Sequence, residues 1–267
     1  MAKRKRLLTE AAALKLWNGG RGQGDGATYQ PWLTIHDVAS RGLVSRIQGW
    51  RHQREHHLLS NGELSYFYQL EWSESVIDIR EQFPLWPMDE TRHIAATLGI
   101  KHPKPPFGKD FVTTMTSDFR ITTADGRDVV RTVKKSGELR KRRTIEKLEV
   151  ERYYWENQGI DWGIVIAEEI PKTFVRNIHW VHPHLRFDPS PSWSEPYELI
   201  VAHFTTLVRE RDAPLVRLAK EVDTSYRLEK GSALALARHL IASRKWKINM
   251  ELRINPSEPL HWLEGSQ

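Results

Sequence analysis

Thr116-Ser117-Asp118-Phe119-Arg120-Ile121-Thr122-Thr123-Ala124-Asp125-Gly126-Arg127-Asp128-Val129-Val130-Arg131-Thr132-Val133-Lys134 is the stretch on which the fold turns. Its first half continues a Thr-, Val- and Phe-rich run from Phe111, which predicts a strand from Phe111 to Thr123. Asp125-Gly126 is a tight-turn dipeptide, and Asp128 to Lys134 reads as the returning strand. Strand alternation puts Thr132 and Lys134 on one face and Val133 on the other. Pairing across the turn brings Asp118 and Lys134 together.

Working outward, Arg140 to Asn157 predicts a helix closed by Gly159, and Asp161 to Ala167 a buried strand. Upstream, Ser60-Asn61-Gly62-Glu63 opens a helix reaching about Trp72, with Leu64, Phe67, Tyr68 and Glu71 at three- and four-residue spacing. Val76 to Arg80 predicts a strand that Phe83-Pro84-Leu85 leaves. Gly99 to Lys109, with Pro103, Pro105, Pro106 and Gly108, predicts a loop. Helix, three strands, helix and strand in that order predict an α/β domain around a mixed sheet.

Phe187-Asp188-Pro189-Ser190-Pro191-Ser192-Trp193-Ser194 marks a boundary, so the expected domains are residues 1–187 and 188–267. Three amphipathic helices follow, over Tyr197–Arg211, Ala213–Val222 and Leu228–Ser243. Then Trp246, Ile248, Met250, Leu252 and Ile254 alternate with polar residues, the period of a strand or hairpin arm. This layout predicts a small helix-turn-helix or winged-helix-like module.

Composition narrows the function. Hydrophobic residues make up 39% of the 267 and charged residues 28%, a globular balance. No apolar run is long enough to span a membrane, and the basic start Met1–Arg6 lacks the apolar stretch of a secretory signal. The absence of cysteine excludes disulfides, thiolate metal sites and a cysteine nucleophile, and suits a reducing cytoplasm. The net charge of +6 is clustered: Arg131 to Arg152 holds nine basic residues against four acidic ones. That cluster, with Arg140, Lys141, Arg142 and Arg143 at its centre, is either a solvated helix face or a phosphate footprint.

Phosphodiester hydrolysis needs divalent cations held by hard oxygen ligands, and a group to position water. Asp118 and Lys134 suit those tasks. Glu63 is a second carboxylate, although Ser60 and Glu63 also have capping-box spacing. Glu151 flanks the stripe of Thr144, Leu148 and Trp155 and so turns towards the sheet, while Glu149 points more towards Ile145 and Tyr153; either is alternatively a surface charge paired with Lys147 or Arg152. The glycines from Gly19 to Gly26 match no phosphate-loop fingerprint and predict a flexible or positive-φ loop. His52, His56 and His57, like His179, His182 and His184, lack zinc-ligand spacing and are expected to be structural or on the surface.

The collinear runs Gly20-Arg21-Gly22-Gln23-Gly24, Pro31-Trp32-Leu33-Thr34, His56-His57-Leu58-Leu59-Ser60, Leu70-Glu71-Trp72, Asp78-Ile79-Arg80-Glu81-Gln82-Phe83-Pro84-Leu85, Gly99-Ile100-Lys101-His102-Pro103 and Glu146-Lys147-Leu148-Glu149-Val150-Glu151-Arg152 resemble TnsA, the endonuclease subunit of heteromeric Tns transposases, including those of CRISPR-associated transposons. The match is dense from Gly20 to about Ile166. Beyond Pro189 only the layout is similar.

The resemblance implies a restriction-endonuclease-like catalytic domain followed by a winged-helix-like domain. It implies Mg²⁺-dependent cleavage (Mn²⁺ substituting) of the 5′-side strand at transposon ends, with a DDE transposase, TnsB, cutting the other side and an ATPase, TnsC, docking mainly on the C-terminal part. Carried over, the catalytic set is Glu63, Asp118, Lys134 and Glu151. The chain departs from the family at Thr132, where a Gln is frequent. Metal binding would then rely on Asp118, Glu63, the weak hydroxyl ligand of Thr132 and the Val133 carbonyl. Lys135 is a register alternative to Lys134, facing away from Asp118. A catalytically weak or inactive DNA- and protein-docking adaptor is the rival expectation, and a partner-free nuclease of the same fold a third.

Overall fold

The computed structural model describes residues 8–37, 44–103, 111–189, 193 and 195–263. The basic N-terminal start, most of the proline-rich loop and much of the Pro/Ser stretch lie outside them. The chain divides into two compact units, one up to Ile170 and one from Pro171.

The first unit contains β1 (Leu8–Thr9), α1 (Glu10–Asn18), β2 (Ser45–Gln48), β3 (Glu55–Leu58), α2 (Asn61–Trp72), β4 (Val76–Pro84), α3 (Met88–Thr97), β5 (Phe111–Val112), β6 (Thr116–Thr123), β7 (Asp128–Lys134), α4 (Arg142–Glu156) and β8 (Asp161–Ile166). The central sheet runs β4-β6-β7-β8. β4 pairs antiparallel with β6, β6 antiparallel with β7, and β7 parallel with β8, so the sheet is mixed as predicted. The predicted hairpin forms around Gly126 at φ 80°, with Thr122 opposite Asp128.

Neighbouring side chains on β7 sort the two faces. Val133 points towards α2, where a Cβ on Gly62 would lie 3.0 Å from Val133 Cγ1. Thr132 points towards α4, where its hydroxyl meets Glu151. The α4 face holds the main apolar cluster: Leu85, Ile94, Ala95, Met115, Val130, Val150, Tyr154 and Trp155.

Several elements differ from the sequence expectation. Phe111 to Thr123 is two strands, β5 pairing with β1 and β6 lying in the central sheet. β4 continues through Phe83 to Pro84 instead of ending near Arg80. β8 is half exposed, Ile164 at 39%, because it forms an edge of the sheet and its apolar run is not covered on both sides. The glycine-rich loop is of the positive-φ kind: Gly20, Gly22, Gly24 and Gly26 all lie in that region. A Cβ on Gly22 would overlap the ring of Pro84, so the loop needs glycine to pack on the end of β4.

The second unit holds α5 (Lys172–Val181), α6 (Tyr197–Glu210), α7 (Leu215–Ser225) and α8 (Ser232–Ala242). Its core includes Ile200, Phe204, Leu218, Leu236, Leu240 and Trp246. The division at 170/171 precedes the expected 187/188 boundary because α5 belongs to this unit. Asn177 Nδ2 donates to the carbonyls of Met250 and Leu252 at 2.9 and 2.7 Å, and its Oδ1 accepts from Ile254 N at 2.9 Å. Phe187, at the expected boundary, packs against Trp193, Tyr197 and His239 within the unit.

The expected arm is shorter than its periodicity suggests. Trp246, Ile248 and Met250 are buried, but alternation stops there and Leu252 is exposed. Among the described residues of this unit the only β pairing is a bridge between Ile248 and Trp262. Among the described residues, no helix is long and apolar enough to cross a membrane.

Candidate active site

The hairpin delivers Asp118 and Lys134 to one place. Asp118 Oδ2 accepts from Lys134 Nζ at 3.0 Å and from Val133 N at 2.7 Å. Lys134 Nζ also donates to the Val133 carbonyl at 3.0 Å. Burial pushes the ammonium down, but the charges of Asp118, Glu151 and Glu63 more than offset this, so Lys134 holds its proton more tightly than a free lysine. Lys135 lies beyond the end of β7 and is exposed.

α2 brings Glu63 to the same place. Ser60 caps the helix, its hydroxyl accepting from Glu63 N at 3.1 Å. The Glu63 carboxylate accepts from Leu59 N through Oε2 and from Ser60 Oγ through Oε1, both at 2.9 Å. The bonds at the helix start thus also orient the Glu63 carboxylate, so capping does not turn it away from Asp118. Glu63 is buried, and burial followed by the charge of Asp118 pushes it up to about 7.

Glu151 turns into the protein. Its carboxylate accepts from Ser117 Oγ at 2.6 Å and from Thr132 Oγ1, and Ser117 Oγ accepts from Trp155 Nε1 at 2.7 Å. Burial raises its pKa against the pull of those two hydroxyls and of Lys134. The Thr132 hydroxyl is thus engaged by Glu151. The sequence pattern assigned no role to Gln82, which is 3% exposed and donates from Nε2 to Glu63 Oε2 at 3.2 Å. No sequence signal marks it, since two adjacent buried polar residues in a strand contradict simple alternation.

The oxygen donors suit a hard divalent cation. Two buried carboxylates repel one another, and a cation would relieve that repulsion. Asp118 Oδ1 accepts no hydrogen bond among the described residues. The described residues contain no cluster of three or more His, Asp or Glu side chains arranged as metal ligands. Two carboxylates and a main-chain carbonyl are what Mg²⁺ commonly uses when waters and substrate phosphate complete its shell. The histidines do not contribute: His56 lies against Glu81 at 2.9 Å, and His52 Nε2 against the carbonyl of Ile77 at 3.0 Å.

Beyond the site, α4 begins in the basic cluster. Arg142 and Arg143 both pair with Glu146, at 2.9 and 3.0 Å, while Arg140 and Lys141 are exposed with no side-chain partner among the described residues.

Two family models match the chain: a TnsA-like endonuclease N-terminal domain over residues 73–167 and a TnsA endonuclease C-terminal domain over residues 169–250. The first takes in Asp118, Lys134 and Glu151 but begins after Glu63. The chain is also 39% identical over 256 residues to the transposon Tn7 transposition protein TnsA of Escherichia coli, covering 94% of this chain and 90% of that protein. Fold, site and similarity together define an endonuclease of DNA transposition. More particularly, the chain belongs to the TnsA family.

Proposed function

We propose that this chain hydrolyses the 5′-side strand at transposon ends, leaving a 5′-phosphate and a 3′-hydroxyl, in a complex with a TnsB-type DDE transposase and a TnsC-type ATPase. The observation that carries this is the convergence of Asp118, Lys134 and Glu63, drawn from a hairpin and a separate helix: Lys134 is hydrogen-bonded to Asp118, and the charges of all three act on one another.

Glu63, Asp118 and the Val133 carbonyl would hold Mg²⁺, with Mn²⁺ as a substitute. Bound there, the cation supplies Lewis-acid stabilisation of the charge that develops on the phosphate and leaving oxygen. Lys134 remains an ammonium, so its part is to orient water and the scissile phosphate rather than to abstract a proton. Glu151 acts from behind the site, holding Thr132 and Ser117 so that β6 and β7 keep their relative position. Thr132, whose hydroxyl donates to Glu151 on the α4 side, offers only a neutral hydroxyl oxygen and is a weaker ligand than the other three. Arg140 and Lys141, with Arg142 and Arg143 beside them, contact phosphates and position the duplex without reading its sequence. The second unit, read as winged-helix-like from α6, α7, α8 and its short arm, is the surface for TnsC.

The test is strand-resolved cleavage of transposon-end DNA with the TnsB partner and Mg²⁺ or Mn²⁺ present. Asp118→Ala and Lys134→Ala should each lower 5′-strand cutting at least about 100-fold while DNA binding stays within a few-fold. Undiminished cutting by both variants overturns the site. Absence of 5′-strand cutting by the parent chain, with binding to transposon ends retained, would favour the adaptor reading.

A further inference from the structure

We propose that Gln82 is a positioning residue for the metal site, its carboxamide clamping Glu63 so that one defined carboxylate oxygen is left for the cation. The inference rests on the metal site proposed above.

Gln82 Nε2 donates to Glu63 Oε2 at 3.2 Å, and Gln82 Oε1 accepts from Thr116 Oγ1 at 3.1 Å. The side chain therefore links α2 to β6 from its place on β4. Oε2 of Glu63 already accepts from Leu59 N, so Gln82 fills its second lone pair. Oε1 accepts only from the Ser60 hydroxyl among the described residues, which leaves it a lone pair. A cation approaching Glu63 thus meets a carboxylate whose orientation is set and whose free position is at Oε1. Outer partners that fix a ligand in this way commonly govern metal affinity.

The backbone carries independent support. Gln82 has φ 48°, a conformation that glycine adopts freely and glutamine rarely does. It lies inside β4, where the alternation slips by one: Ile79 and Glu81 are buried before it, Gln82 and Pro84 at and after it. Glu81 and Gln82 consequently both face the α2 side, towards Arg54 and Glu63, while Phe83 turns to Trp155 on α4. Without that slip Gln82 would point away from Glu63. A strained residue that is not glycine, held at the one place from which its amide meets a candidate ligand, points from strain to function.

The experiment compares the full chain with Gln82→Gly, Gln82→Leu and Asp118→Asn. Gln82→Gly suits the positive φ and removes the amide; Gln82→Leu keeps the volume. Mn²⁺ binding is measured by the loss of the free-ion electron paramagnetic resonance signal, thermal unfolding is followed without metal, and end cleavage is titrated with Mn²⁺. Both Gln82 variants should weaken Mn²⁺ binding roughly tenfold or more. Their half-saturating Mn²⁺ for cleavage should rise by the same factor, with the rate at saturation within a few-fold of the parent. Mn²⁺ binding within twofold of the parent in both Gln82 variants, alongside loss in Asp118→Asn, overturns the role of Gln82 and leaves the metal site standing. Unchanged binding in Asp118→Asn overturns the metal site itself. A Gln82→Gly chain that melts far earlier or fails to fold makes the clamp structural and also overturns the proposal.

Discussion

Glu63 carries a pH consequence that can be read from its surroundings. Its carboxyl is raised from an ordinary 4.5 to about 7 by burial and by Asp118. Between those values the folded chain binds a proton that the unfolded chain has released, so stability falls as pH rises from about 4.5 to about 7 and levels off above. Glu63→Gln removes that slope. The variant should be more stable than the parent above pH 7, by up to about 3 kcal/mol, and the gap should close towards pH 4.5. Urea unfolding at several pH values measures it, and a constant gap would show that Glu63 does not titrate in this way. Glu81, on β4, shows the opposite balance. Burial pushes it up, but the charge of His56 and the hydrogen bonds from Arg54 and His56 hold it well below the usual carboxylate range. Arg54 grips it through two nitrogens, at 2.8 and 2.6 Å, with both side chains almost wholly buried. The Glu81 ion pair thus anchors the β2-β3 hairpin.

Among the elements, the start of α2 decides the site's geometry. Its first turn lies against β7 because residue 62 is glycine: an added Cβ would lie 3.0 Å from Val133 Cγ1 and 3.1 Å from Ala167 Cβ. Gly62→Ala should therefore push Glu63 away from Asp118. It should destabilise the fold by about 1–3 kcal/mol through overpacking and reduce cleavage more than Gly62 distance from the reacting groups would suggest. Chemical denaturation and strand-resolved cleavage, measured together, check this; full activity in a destabilised variant would separate the helix start from the chemistry. Much of this element was legible in the sequence. Ser60 and Glu63 announced the helix start, and Asp125-Gly126 announced the hairpin, because both are local signals carried by a few neighbouring residues. The slip in β4 was not legible, since it depends on Gln82 meeting Glu63 nineteen positions away.

At the scale of the whole molecule, charge separates into paired and unpaired groups. The formal +6 suggests a polyanion partner, yet Arg142, Arg143 and Arg152 are engaged by Glu146, Glu149 and Glu156 on the same helix. Arg140 and Lys141 are the exposed pair just ahead of that helix. Replacing both with Ala should lower DNA affinity similarly across sequences and flatten the dependence of log K on log salt by about 2. A titration of binding against salt concentration reads the slope, and an unchanged slope would move the phosphate contacts elsewhere.

The amino-acid sequence by itself determined the hairpin, the capped helix, the mixed α/β order and, through collinear motifs, the family. These are short-range or ordered features that survive in one dimension. Only the tertiary structure decided that α5 belongs to the second unit through Asn177, that the Thr132 hydroxyl is engaged by Glu151, and that Gln82 and Glu63 meet. Each of these depends on side chains from separate elements competing for the same partner inside a buried volume, where a polar group must find a mate. Which mate it finds is set by packing, and packing has no fixed spacing along the chain.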